Sequence, residues 1–128
     1  MNYRLLAAYA AILIATLTTL GHAEPPKTET FMRLKLQHAH NLLDGIALED
    51  FDQVKKSADA MILLSHESNW NVFQSPEYNE HSADFRRAAG LVVEQAKAKN
   101  LDGVTLGYLQ MTMSCVRCHR YVRDQNGN

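Results

Sequence analysis

Four stretches of this chain carry apolar side chains at helical spacing, and most of the links between them are short. That pattern restricts the fold more than any other feature. From about Thr28 to Ala47, the residues Met32, Leu36, Ala39, Leu43 and Ile46 form one continuous stripe, widened by Phe31, Leu34 and Leu42. A second stripe, Phe51, Val54, Ala58, Met61 and Ser65 with Ile62 alongside, follows Asp50, which can cap a helix ending around His66 to Asn69. Ser75-Pro76 reads as an N-cap followed by a first-turn proline. It opens a third helix that runs to about Lys99, with Tyr78, Phe85, Ala89, Val92 and Ala96 facing inward. After a short turn at 100–103, with Asp102 a plausible cap, a fourth helix runs from about Gly103 to Arg123 on the stripe Val104, Tyr108, Met111, Cys115, Cys118 and Val122. No segment alternates with period two, so no sheet is expected. Short links make sequence neighbours antiparallel, and the expected fold is all-α, an up-down-up-down four-helix bundle.

Composition narrows the function classes. Of 128 residues, 46% are apolar and 21% charged, with a formal charge of −1, which is ordinary globular usage. A chain without a basic excess is not expected to take nucleic acid as a partner. Two cysteines cannot staple a disulfide-rich scaffold.

The first 23 residues are expected to lie outside the domain. Arg4 precedes an uncharged apolar run, Leu5 to Leu20, and then Gly21-His22-Ala23. A basic start, an apolar run and small residues at −3 and −1 are the marks of a cleavable export signal. Cleavage is expected after Ala23, leaving one domain over 24–128 in the periplasm. The competing reading, an uncleaved anchor, would want ~20 apolar residues in the span.

Chemistry concentrates in Cys115-Val116-Arg117-Cys118-His119. This is C-x-x-C-H, the attachment pattern of c-type haem. On a helix, the two cysteines lie on one face one turn apart, so each sulfur can bond one vinyl group of a single covalent haem c. His119 follows the second sulfur and can bind the iron. A structural zinc site would need four ligands. A thioredoxin-like dithiol would want a strand-helix setting, and a disulfide would be legal after export. No second Cys/His pair stands in the sequence to complete a zinc site, no strand pattern precedes the motif, and a disulfide would leave His119 and the match to an exported compartment as coincidences.

The motif stands near the end of the chain, in the last of four helices. In that placement, and in its length and helix order, the chain resembles the class II c-type cytochromes, the cytochrome c′ family. The likeness in length and order covers residues 24–128, and its specific part is confined to the last helix. Arg123 stands four after the histidine, as a basic residue does in the family, while Val122 stands where the family usually has an aromatic and Tyr121 lies beside it. The resemblance implies His119 as the proximal ligand, with Arg123 close to it. It also implies a distal residue from the first helix.

For that distal position the candidates are Met32 and Leu36. Met32 is preferred, as a thioether that pairs with histidine on haem iron. The start of the first helix lies near the end of the fourth in an alternating bundle. Leu36 would leave the iron open to NO or CO. Arg33 could reach a haem propionate, and Tyr108 is expected to pack against the macrocycle. Trp70, Phe73 and Tyr78 could cover a haem edge or plug one bundle end. His38, His40, His66 and His81 are expected to be surface residues, and Met61 and Met111 core.

Two functions follow as expectations. The first is an electron carrier, not an enzyme, serving a redox partner protein through iron held by His119 and Met32. The second is a small-gas binder of the cytochrome c′ type with Leu36 over an open iron. Family members often dimerise through their first two helices. Lys55, Lys56 and Asp59 make those faces polar here, which leaves a homodimer open.

Overall fold

The computed structural model describes residues 27–67 and 70–127; the expected export signal lies outside them. Four helices follow in order: α1 (Lys27–Ala47), α2 (Phe51–Leu64), α3 (Pro76–Lys97) and α4 (Leu101–Gln125). Each packs on its sequence neighbour, while α1 and α4, which close the ring, touch far less. The fold is the antiparallel four-helix bundle that the stripes predict. Among the described residues, no helix is long and apolar enough to cross a membrane.

Two of the turns are built alike. After α1, Asp50 N–H donates to the Gly45 carbonyl (2.8 Å) and Glu49 N–H to Ile46 (3.2 Å), with Glu49 in the left-handed region at φ 55. After α3, Asn100 N–H donates to Gln95 and Lys99 N–H to Ala96 (both 3.0 Å), with Lys99 at φ 51. Both are Schellman closures that satisfy the last carbonyls of a helix. In each, the next residue caps the following helix: Asp50 accepts from Gln53 N–H (2.9 Å) and Asn100 from Gly103 N–H (3.1 Å). Asn100, not Asp102, is therefore the cap of α4, because the Schellman closure lets the helix start at Leu101, two residues earlier than the turn residues suggest. The α2 helix also stops earlier than its pattern implies. Ser65 closes it with its hydroxyl on the Ile62 carbonyl (2.6 Å), so His66 falls in the turn.

Close helix approach is set by glycine at two crossings. A Cβ on Gly45 would meet Val54 Cγ2 at 2.9 Å, and one on Gly107 would meet Val92 Cγ2 at 2.9 Å. Any side chain at either place would push neighbouring helices apart. The α3 stripe is buried as predicted, through Tyr78, Phe85, Ala89, Val92 and Ala96. Trp70 is an internal plug: it is 2% exposed, its Nε1–H donates to Ser82 Oγ (2.7 Å), and its carbonyl accepts the Tyr78 hydroxyl. The α2–α3 connection is pinned to the far end of α4 by Tyr121. The Tyr121 hydroxyl is hydrogen-bonded to Ser75 Oγ at 2.7 Å, and its ring meets Phe73 edge-on. The aromatic at 121 thus faces this connection.

The face of α1 differs from the predicted stripe. Leu36 is 55% exposed and Leu43 47%, whereas Phe31, Lys35 and Leu42 are buried. The inward line therefore runs one position earlier, with Met32, Ala39 and Ile46 only partly buried beside it. The apolar run offers two phasings, and the one with fewer leucines wins because the Phe31 ring packs edge-on against Trp70, 6.4 Å away.

Candidate haem cleft

Sparse contact between α1 and α4 leaves a cleft of about 680 Å³ between them. That is within the ordinary range for a small-molecule or cofactor site. Its walls include Cys115, His119, Met32, Arg33, Leu36, Tyr108 and Arg123, and the floor is made by Met61 and Met111, each 1% exposed. Cys118 lies one turn beyond Cys115, half-buried behind the wall. Both cysteines are free thiols. A second groove of about 530 Å³ runs between α3 and α4 past Asp84, Leu109 and Met113, and holds neither thiol nor His119.

The structure thus brings seven of the residues singled out in the sequence to one cleft, three from α1 and four from α4, with the eighth, Cys118, outside its lining. Their placement differs in detail. Leu36 stands at the rim, more than half exposed, and not over the centre. Arg33 lies on the outside with its guanidinium on Glu29 Oε1 (2.7 Å), one turn back on the same helix. His40 reaches the rim and His66 is exposed, while His81 packs on Tyr121 at 5.3 Å between ring centres. His38 is only partly buried, and Met113 is 57% exposed. Trp70, Phe73 and Tyr78 lie outside the cleft walls, so they plug the bundle end.

Electrostatics mark the same place. Partial burial lowers the His119 pKa, and the positive charges of Lys35 and Arg123 lower it further. A neutral imidazole is the form that binds a metal. Burial raises the Cys118 thiol pKa, opposed by Lys35 and assisted by Cys115.

Lys35 is the residue that the sequence pattern passes over. It is 8% exposed on the cleft wall, and its Nζ sits 3.8 Å from the Trp70 ring centre and 3.9 Å from that of Phe85. Among the described residues no carboxylate pairs with it: the ion pairs join Arg33–Glu29, Lys55–Asp59, Arg87–Asp84 and Arg117–Asp84. A cation on an aromatic face recovers about 0.5–2 kcal/mol. Withdrawing an ammonium from water costs several. Burial accordingly pulls the Lys35 pKa down from 10.5 to about 8, against the raising influence of Cys115 and Cys118. The available signal was periodicity: 35 falls between Phe31 and Leu42 on the more buried phasing, but a stripe drawn through apolar residues skips a lysine.

The depressed lysine has a measurable consequence for the haem-free polypeptide. Below about pH 8 both folded and unfolded chains hold the proton, and the full burial cost, roughly 3 kcal/mol for this shift, is present. From there to about pH 10.5 the unfolded chain binds the proton that the folded one has released, so the cost fades as pH rises. Urea melts should show Lys35→Met more stable than wild type at about pH 7, by an amount that shrinks towards pH 10.5. Subtracting the two chains largely cancels Tyr78, pushed up to about 12 mainly by burial, whose stabilisation is lost only in stronger alkali.

Comparison with known proteins adds the fold. No family model matches the chain, and no curated protein matches it. Among solved structures, the chain is similar to a mutant cytochrome c prime from Alcaligenes xylosoxidans in its nitric oxide complex. The TM-score is 0.59 at 16% identity, over 73% of this chain and 87% of that one. The bundle is thus cytochrome c′-like in fold.

The residues present fit a c-type haem. Two free thiols lie one helical turn apart, and a histidine with a lowered pKa stands next to the second. In front of them is a cleft of suitable size, floored by methionines. Among the described residues, no three His, Cys, Asp or Glu side chains converge as a metal cluster, so the thiol pair has no further ligands of a zinc site around it.

Proposed function

We propose that the chain is an exported monohaem c-type cytochrome that carries electrons for a redox partner protein in the periplasm. The observation that carries this reading is the C-x-x-C-H motif with both thiols free, Cys115 and His119 on the lining of an open cleft and Cys118 one turn on, in a cytochrome c′-like bundle. Cys115 and Cys118 would hold haem c through two thioether bonds, with His119 as proximal ligand. The group, when bound, supplies iron that cycles between Fe(III) and Fe(II).

The protein's own part is orientation and environment. Helix α4 sets the two sulfurs and the imidazole in a single register. Arg123, whose charge acts on His119, disfavours the imidazolium and keeps the ring nitrogen available. The methionine floor limits water on the inner side, while the exposed rim at Leu36 and Val116 leaves a route for electrons to a docked partner. Electron carriage needs no acid-base pair acting on a substrate, so the reading is of a carrier and not an enzyme.

One observation favours a second reading, small-gas binding: the structural neighbour was solved with nitric oxide. The spectrum of the ferrous holoprotein, taken with and without CO, separates them. A carrier with both axial positions filled should show low-spin iron unchanged on mixing with CO. A gas binder should be high-spin and shift at once.

A further inference from the structure

We propose that the side-chain amine of Lys35, and not Met32 or Leu36, is the distal ligand of the haem iron. The inference rests on the haem reading above and concerns the face of the cleft opposite His119. Seven α1 residues line that wall; His40 is exposed at its rim, Arg33 is paired with Glu29 on the outside, and Met32, Lys35 and Leu36 stand between them. Leu36 points mainly to solvent and Met32 lies at the margin of the inward line. Lys35 is the one on that line, with its stem buried between Phe31 and Leu42 along the helix.

Placement of the nitrogen is specific. The Trp70 and Phe85 rings each lie within 4 Å of Nζ, one from the α2–α3 connection and one from α3. They hold the end of a four-carbon side chain that would otherwise be free to reach water. Lysine at a core position without a carboxylate partner is costly, and no carboxylate among the described residues pairs with it. A metal that accepts the lone pair removes that cost. On binding, the ammonium proton passes to water and the nitrogen lone pair goes to iron; no electron changes hands. The dry surroundings already favour the uncharged amine. A nitrogen on each side of the iron would close the gas-binding position, which is what the carrier reading requires.

The test uses holoprotein matured in a bacterial host that attaches haem c. The ferric wild type should be low-spin by optical and electron paramagnetic resonance spectra, without the iron–thioether charge-transfer band. Lys35→Ala and Lys35→Arg should both turn high-spin, the arginine variant because it keeps the charge and lacks a usable lone pair. Met32→Ala should leave the spectrum unchanged. If Met32→Ala turns high-spin while both Lys35 variants stay low-spin, or if the wild type is itself high-spin, the proposal fails. Should the Lys35 variants not fold, wild-type protein grown with lysine labelled with 15N at Nζ decides. Electron–nuclear double resonance must show one lysine nitrogen coupled to iron, and its absence overturns the assignment. Failure of the haem reading looks different: the purified protein would carry no haem at all.

Discussion

Replacing Cys115 and Cys118 together by alanine should abolish covalent haem completely. Matured beside the wild type, the double variant should give no haem staining on a denaturing gel and the mass of the processed polypeptide alone. The wild type should be heavier by one haem group. Each single variant should keep one attachment. The effect is all-or-none because the thioether bonds have no substitute: these are the only two cysteines in the chain. The polypeptide should survive the change. Both side chains are only half-buried and free, so alanine leaves no sealed cavity and no broken disulfide. Far-UV circular dichroism should therefore remain helical. A bare wild-type mass from a host competent in haem attachment would sink the proposed function, whereas haem still covalently bound in the double variant would move the attachment elsewhere.

Phe85→Ala should be the most damaging core substitution. Phe85 is 2% exposed, its ring lies 5.2 Å from that of Trp70 at a 39° tilt, and it forms half of the aromatic seat under Lys35. Removing a buried phenylalanine costs about 3–5 kcal/mol. A domain of this size has about 5–15 kcal/mol in total. The loss is compounded here because the Lys35 nitrogen would lose one of its two aromatic faces while staying buried. In urea, the midpoint should fall by roughly 1–3 M at an unchanged slope. A shift equivalent to less than about 1 kcal/mol would mean that the site collapses around the gap and that the packing of α3 on Trp70 matters little. By contrast, Leu43→Ala on the exposed side of α1 should change stability by about 0.5 kcal/mol or less, although the sequence stripe ranks it as core.

Much of this molecule could be read from local rules. The Ser75-Pro76 start, the Asp50 cap and the inward line of α3 depend on residues a few positions apart, and all appear as expected. The α4 line needs no distant information either: Val104 and Met111 are buried, and Tyr108, Cys115, Cys118 and Val122 lie half-buried in register with them. The α1 helix is where local reading fails. Its apolar residues are dense enough to support two phasings about one residue apart, and choosing between them requires knowing that Phe31 meets Trp70, far away in the chain. The same rotation carries Lys35 inward and Leu36 outward. Both consequences concern the distal side of the cleft, so the part of the site least legible in sequence is the part that bears most on function.

Sequence by itself determined the four helices, their antiparallel order and the thiol–thiol–imidazole register on the last of them. These follow from periodicity, capping and the geometry of a single helical turn, all of which act over fewer than about ten residues. Only the tertiary structure decided that α1 and α4 part to form a cleft, and that a lysine held by two rings from other elements lines its far wall. The rotation of a helix about its own axis is set by what the whole bundle buries, and the burial of one charged side chain is tolerated when large aromatic neighbours gain more from that packing than the charge loses.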